Sequence, residues 1–322
     1  MNLKKGSGCL FNLTVNFIFT YFILSRLLKG DIIKYGWYFI NCLEIIAVFS
    51  KTFQKNFYAL GSQCFFPHAW HGDYFHLGHK VPLVVSNSTI SEKGRCVESF
   101  GSHYVMEEED RGEKCWRCMT IFRKHHNVLQ YKESECHDLN FCLSLTPFPG
   151  YCETYFSTFQ SLCENIAGDS KMFSMFRRGS EPVRCPFKGP FTFSYSKGGS
   201  GLNQCSFPKS YLDSCSDHRR LQVHFQACID VKGSESAVEQ MECLAHWKEG
   251  SKHYMVAEMS HDHVHSDENR YRCFVYEKSG KAENRTVTMA QSLRATCNGL
   301  WSPTEGWRTF KMEKGDFAIL WK

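Results

Sequence analysis

Short runs of Val, Phe, Tyr and Thr alternate along the chain with turns rich in Gly, Asn and Ser, the pattern of antiparallel strands that bury one face. Phe191, Phe193 and Tyr195 alternate with Thr192, Ser194 and Ser196, and Arg220-Leu221-Gln222-Val223-His224-Phe225 repeats the same period of two. Between Ser161 and Arg177 the alternation gives way to a mixed apolar stretch ended by Gly179 and Pro182, which predicts a short helical connector. The expected fold is mainly β: two related antiparallel modules, each a barrel or a sandwich, joined by that connector.

The relatedness rests on a pattern that occurs twice. Cys96 leads to Gly101-Ser102-His103-Tyr104-Val105-Met106, and Cys243 leads to Gly250-Ser251-Lys252-His253-Tyr254-Met255-Val256. Trp116-Arg117-Cys118 is matched by Tyr271-Arg272-Cys273, and Cys64-Phe65-Phe66-Pro67 by Cys185-Pro186-Phe187. Cysteines 64, 96, 118 and 136 therefore pair off in order with 185, 243, 273 and 297, as duplication would leave them. The expected boundaries are a hydrophobic leader over 1–60, a first cysteine-rich β module over 61–137 and an insertion over 138–160. The connector over 161–183 follows, then a second module over 184–297 and the start of a truncated third over 298–322.

Cysteine usage sets the compartment. Fifteen of the 17 cysteines lie between Cys64 and Cys297, a density that a reducing cytosol would leave as vulnerable thiols. The disulfide candidates are Cys64, Cys96, Cys115, Cys118, Cys136, Cys163, Cys185, Cys205, Cys215, Cys228, Cys243, Cys273 and Cys297. The expected location is extracellular or at the cell surface. In the leader, Lys4 and Lys5 precede an uncharged stretch from Gly6 to Ser25, the form of a signal peptide or signal anchor. A second apolar run, Trp37 to Phe49, carries Glu44, and two such runs fit one signal peptide poorly. A mis-joined segment is the equal alternative.

The net charge of +5 lies in that leader, where seven Lys or Arg face Asp31 and Glu44 and leave the remainder neutral. Phosphate neutralisation needs a clustered basic face, so nucleic acid is not an expected partner.

A resemblance sharpens this reading. Phe66-Pro67-x-x-Trp70-x-Gly72-x-Tyr74-Phe75, Asn127-Val128-Leu129-Gln130-Tyr131-Lys132-Glu133 and Ser174-Met175-Phe176-Arg177 are three of its hallmarks. Cys185-Pro186-Phe187-x-Gly189-Pro190-Phe191, Trp247-Lys248-Glu249-Gly250 and Tyr271-Arg272-Cys273-Phe274-Val275-Tyr276-Glu277 are others. With these the chain resembles a family of arthropod secreted or membrane-tethered proteins built of consecutive cysteine-rich domains of unknown function. The resemblance implies architecture and location, and no activity. Asp138 to Gln160 interrupts the family pattern, and Gly299-Leu300-x-Ser302-Pro303 resembles the opening of the third module.

Catalytic chemistry finds no motif. There is no Gly-x-Ser-x-Gly elbow and no phosphate-cradling loop before a helix, and Glu107-Glu108-Glu109-Asp110 reads as a solvated turn. Cys115-x-x-Cys118 reads as two separate disulfides, because positions three apart on a strand face opposite ways. His261, His263 and His265 are weak metal candidates, alternate strand positions sharing a face, against the plainer reading of a polar loop. No cofactor is expected. Asn87-Ser88-Thr89 and Asn284-Arg285-Thr286 are glycosylation sequons in predicted turns. Trp70, Tyr74 and Phe75 around Gly72 are similar to the first-strand aromatics of lipocalin-type barrels, with ordinary core packing as the alternative. The expected function is a binding or structural protein, whose partner is an extracellular protein or a small hydrophobic ligand. A membrane tether would lie in the leader or in a C-terminal region beyond Lys322. The alternative is a secreted enzyme with an unrecognised site.

Overall fold

The computed structural model describes residues 64–110, 112–138, 162–164, 166–198, 203–214, 217–260, 266–281 and 285–315. The leader and most of the expected insertion lie outside them, and among the described residues no helix is long and apolar enough to cross a membrane.

The first nine strands are β1 Gly72–His76, β2 Leu83–Val85, β3 Thr89–Ile90, β4 Gly94–Phe100, β5 His103–Asp110, β6 Glu113–His125, β7 Val128–Glu133, β8 His137–Asp138 and β9 Phe173–Arg177. They pair in the order β5-β4-β3-β2-β1-β9-β7-β6, and β5 pairs with β6 to close an eight-stranded antiparallel barrel, with β8 added on β6. The second set is β10 Phe191–Lys197, β11 Gln204–Asp213, β12 Arg220–Phe225, β13 Ala237–Glu249, β14 Lys252–Ser260, β15 Tyr271–Ser279, β16 Thr286–Gln291 and β17 Arg308–Lys314. Each pairs with its neighbours in sequence and β17 returns to β10, again a closed barrel. Closure removes the free edges that would otherwise template pairing with other chains.

Three sequence expectations are corrected. The segment from Ser161 to Arg177 is not a helical connector: Leu162 and Cys163 make one helical turn, and Phe173–Arg177 is the strand that closes the first barrel against β1 and β7. Residues 298–314 do not open a third module, because Arg308–Lys314 closes the second barrel against β10 and β16. Glu107 to Asp110 continue strand β5 instead of forming a turn.

Matching constraints recur in the two barrels. Cys64 is bonded to Cys96 on β4, and Cys185 to Cys243 on β13, the fourth strand in each. A β-bulge follows each core cysteine, between Cys96 and Glu98 and between Cys243 and Ala245. Cys118 is bonded to Cys163 and Cys273 to Cys297, both clamping the link between the seventh and eighth barrel strands. The counterpart of Cys297 is therefore Cys163, whereas Cys136 is bonded to Cys115. Cys205–Cys228 is the sixth disulfide among the described residues.

Apolar side chains fill both interiors. In the first, Tyr74, Leu83, Ile90, Met106, Met119, Leu129, Tyr131 and Met175 are buried together. In the second, the rings of Phe193, Tyr195, Phe225 and Phe310 stand 5.1 to 6.3 Å from neighbours in the same group. A third apolar cluster lies between the barrels: Phe75, Val128 and Phe176 from outside the first pack on Leu244, Val256, Tyr271 and Val275 from outside the second. Asn127, 2% exposed, pins this contact by donating Nδ2 to the Leu244 carbonyl at 2.9 Å.

Candidate functional site

The two ends of the first barrel differ in chemistry. At the Trp70 end, a 3₁₀ turn, His68–Trp70, leads into β1 and buries the indole beside Tyr104, ring centroids 5.9 Å apart. Arg177, on the closing strand, donates to the carbonyls of His71 at 2.5 Å and Ala69 at 2.7 Å and to the Tyr74 hydroxyl at 2.6 Å. Its guanidinium lies 4.9 Å over the Tyr74 ring. Gly72 sits at φ +139°, and a Cβ there would meet the same guanidinium at 2.5 Å. Trp70 is thus part of a closed, bolted end.

The opposite end gathers titratable groups. His76 ends β1 and is 4% exposed, and its Nε2 shares a 2.9 Å hydrogen bond with the Tyr131 hydroxyl on β7. Burial first, then His79 and Lys93, hold His76 at about 4, so the imidazole is neutral. Burial and then Glu133 push the Tyr131 phenol well up, so it keeps its proton and the hydrogen bond joins two neutral groups. Lys93, 7% exposed, bonds both carboxylate oxygens of Glu133 at 2.9 and 3.0 Å, with Nζ 5.6 Å from the Tyr131 ring centroid. Arg117 reaches Glu133 at 3.3 Å and also pairs with Glu108. His79 Nδ1 meets Glu92 at 2.5 Å on the rim.

Chemically this end offers a neutral imidazole–phenol pair beside a compensated four-charge network. Such an arrangement can orient a polar ligand, and a neutral imidazole can take a proton. In the second barrel the buried pair is Arg308 with Glu239, two bonds of 3.0 Å, with the guanidinium 4.4 Å over Phe225.

Of the residues singled out in the sequence, the structure places Cys115 and Cys118 in separate disulfides. Asn87 is exposed in the turn between β2 and β3, and its carbonyl accepts from Phe66 N–H. Cys215, Asn284, His261, His263 and His265 lie outside the described residues. Two groups have metal-compatible spacing, His103 with Cys118 and Cys163, and Glu108 with Cys115 and Cys136. In both groups the sulfurs are joined in a disulfide, so they are not thiolate ligands. The His76–Tyr131 and Lys93–Glu133 pairs escape sequence reading. Their partners are 55 and 40 residues apart, and no local spacing joins them.

Residues 62–165 match the model described as domain of unknown function (DUF7044), and residues 181–314 match domain of unknown function (DUF7042). The two models are consecutive, and the closing strand β9 falls between them. No curated protein and no solved structure matches the chain.

Proposed function

We propose that this chain is an extracellular recognition protein, a disulfide-locked pair of barrels that binds a protein partner through loops and barrel ends without chemically changing it. The observation that carries this reading is the packing. Both interiors are filled by the chain's own side chains and the barrels share an apolar core, so ligand contacts fall on the outside. A filled interior also argues against a small hydrophobic ligand inside a barrel. Six disulfides hold the loops in place, which lowers the ordering cost of binding. They also support the oxidising compartment, the one in which the exposed Asn87 sequon would be glycosylated.

A second reading, a secreted enzyme, is favoured by the neutral His76 beside Tyr131 and the Lys93–Glu133 pair at one barrel end. The two readings separate on one experiment. The full chain, expressed with a tag through the secretory pathway, is used for proximity labelling on living tissue and assayed against peptide, glycan and ester libraries. Partner capture that survives His76→Gln, without turnover, supports recognition. Turnover lost in His76→Gln would replace it with catalysis.

A further inference from the structure

A cationic seam crosses the line where the two barrels meet, apart from the polar end described above. The end of β6 and its turn carry Arg123, Lys124, His125 and His126, and the β13–β14 hairpin carries His246, Lys248 and His253. The two runs are held side by side. Lys124 Nζ donates to Glu249 at 3.1 Å, and the His125 ring stands 3.9 Å from His126 and 6.5 Å from His246, centroid to centroid. His253 stacks on Tyr276 at 5.3 Å, and Lys278 of the next strand reaches the Pro186 carbonyl at 2.6 Å.

The charges along the seam oppose one another. Burial, then His126, His246 and Arg123, hold His125 at about 4. Burial lowers His126, helped by Arg123 and Arg177, and lowers His246, helped by Lys278 and His253. Burial also lowers His253, with Lys278 and Lys248 adding to it and Glu277 opposing. Glu277 is the one acidic group among these influences, and Glu249 is engaged by Lys124. Arg177 is committed to backbone carbonyls and Tyr74. Arg123 and Lys248 are exposed and make no ion pair among the described residues.

We propose that this seam binds a sulfated glycan chain laid along Arg123, His125, His126, His246, Lys248 and His253. The proposal rests on the extracellular reading above and names the partner chemistry of a second surface. Arg123 on one element and Lys248 on the other, without ion pairs among the described residues, with four histidines on the same elements, suit a ligand with several charges in a row better than a single ion. Trp301, 62% exposed, has its backbone beside the same hairpin, where its carbonyl accepts from Lys252. In the oxidising compartment that the disulfides imply, sulfated glycans are the linear polyanions at hand. In the free protein all four histidines are held below the ordinary imidazole value. A bound polyanion supplies the countercharge that lets them take protons, so binding and protonation strengthen each other.

The test is binding of the secreted full chain to heparin, with desulfated heparin as control, at pH 7.5 and pH 5.5. Heparin binding should tighten about tenfold at the lower pH. Arg123→Ser with Lys248→Ser should weaken it about tenfold at both. His126→Gln with His253→Gln should leave the pH 7.5 value within about twofold and remove most of the tightening. Lys248→Glu alone, a change at an exposed position, should weaken binding at both pH values if the double variant fails to fold. Equal weakening by Arg219→Ser with Arg220→Ser, a cationic pair at the start of β12 already engaged by Asp217 and Glu242, would overturn the proposal, because bulk charge would then suffice. So would absence of heparin binding at either pH, or binding to phosphatidylserine vesicles in its place. A chain that binds heparin but is retained inside cells would sink the extracellular reading and leave the seam standing.

Discussion

Cys118 on β6 and Cys163 are bonded across 45 residues, and the Cys118 N–H is held at 3.0 Å by Ser134 Oγ. Cys273, Cys297 and Ser292 repeat the arrangement in the second barrel, with the Cys273 N–H also 3.0 Å from its serine. The clamp lays Leu162 and Ile166 over Val105 on the outside of the first barrel and holds the excursion that delivers β9 to its place. Replacing Cys118 and Cys163 together by Ser should cost about 4 kcal/mol, from the loop entropy of an unfolded chain no longer cross-linked. The shorter Cys115–Cys136 loop, 21 residues, should cost about 3 kcal/mol. Urea unfolding of the two variants checks the order. Non-reducing peptide mapping that links Cys118 to Cys136 would reject the pairing.

Lys93 and Glu133 form a pair whose side chains are 9% and 14% exposed. Lys93→Met leaves a carboxylate short of one partner in a poorly solvated place, with Arg117 still attached, and should destabilise by about 3 kcal/mol. Lys93→Met combined with Glu133→Gln should cost clearly less than the sum of the single changes. A double-mutant cycle from chemical denaturation measures this, and additivity within about 0.5 kcal/mol would show that the two residues do not interact.

His76 makes stability depend on pH in a defined direction. Its folded value of about 4 lies below the ordinary 6.5, so as the pH falls the unfolded chain takes the proton first. The stability it contributes is complete above about pH 6.5 and is lost between there and pH 4, on the order of 3 kcal/mol. His76→Gln keeps a hydrogen-bonding group near Tyr131 without titrating. The difference between wild type and variant in urea midpoint should shrink steadily from pH 7 to pH 4.5. A constant difference would mean that the ring titrates alike in the folded and unfolded chain and is not held down by its burial.

Gly94 opens β4 at φ +90°, where a Cβ would fall on the Glu107 carbonyl of β5. Gly94→Ala should therefore force the β4–β5 ladder apart near the Cys64–Cys96 bond, at a cost on the order of 2–4 kcal/mol. Thermal unfolding compared with Gly101→Ala checks it. Gly101 also has positive φ but has open space around its Cβ position, so its variant should suffer less.

Much of the architecture is legible in the chain, for identifiable reasons. Arg220 to Phe225 reads as a strand because Leu221, Val223 and Phe225 face the second core while their neighbours do not. The segment Ser174 to Phe176 misleads because all three of its residues are buried: Met175 faces the barrel interior, and Phe176 faces the other barrel. With both faces covered, period two disappears and a buried strand reads like a piece of helix. Cys136 reads as the partner of the repeat because it is the next cysteine along. Only the folded link between β7 and β9 brings Cys163 to the equivalent place. The polar barrel end and the seam were beyond reach for the same cause, since each joins strands far apart in sequence.

Phe75, Phe176 and Tyr271 meet at the junction of the barrels, with ring centroids 6.4, 5.0 and 5.7 Å apart. Two of these rings belong to the first barrel and one to the second, so they couple the folding of units that each have a core of their own. Removing Tyr271 leaves a cavity in the shared cluster while sparing both interiors. Tyr271→Ala should cost about 3–5 kcal/mol, most of it in the interaction between barrels. The coupled chain should unfold in one calorimetric transition, and the variant should show two, because each barrel then melts at its own temperature. If Tyr271→Ala lowers the melting temperature but keeps a single transition, the barrels are held together by Asn127 and the Lys124–Glu249 pair rather than by the aromatic contact. Asn127→Ala in the Tyr271→Ala background would then be the change that splits it.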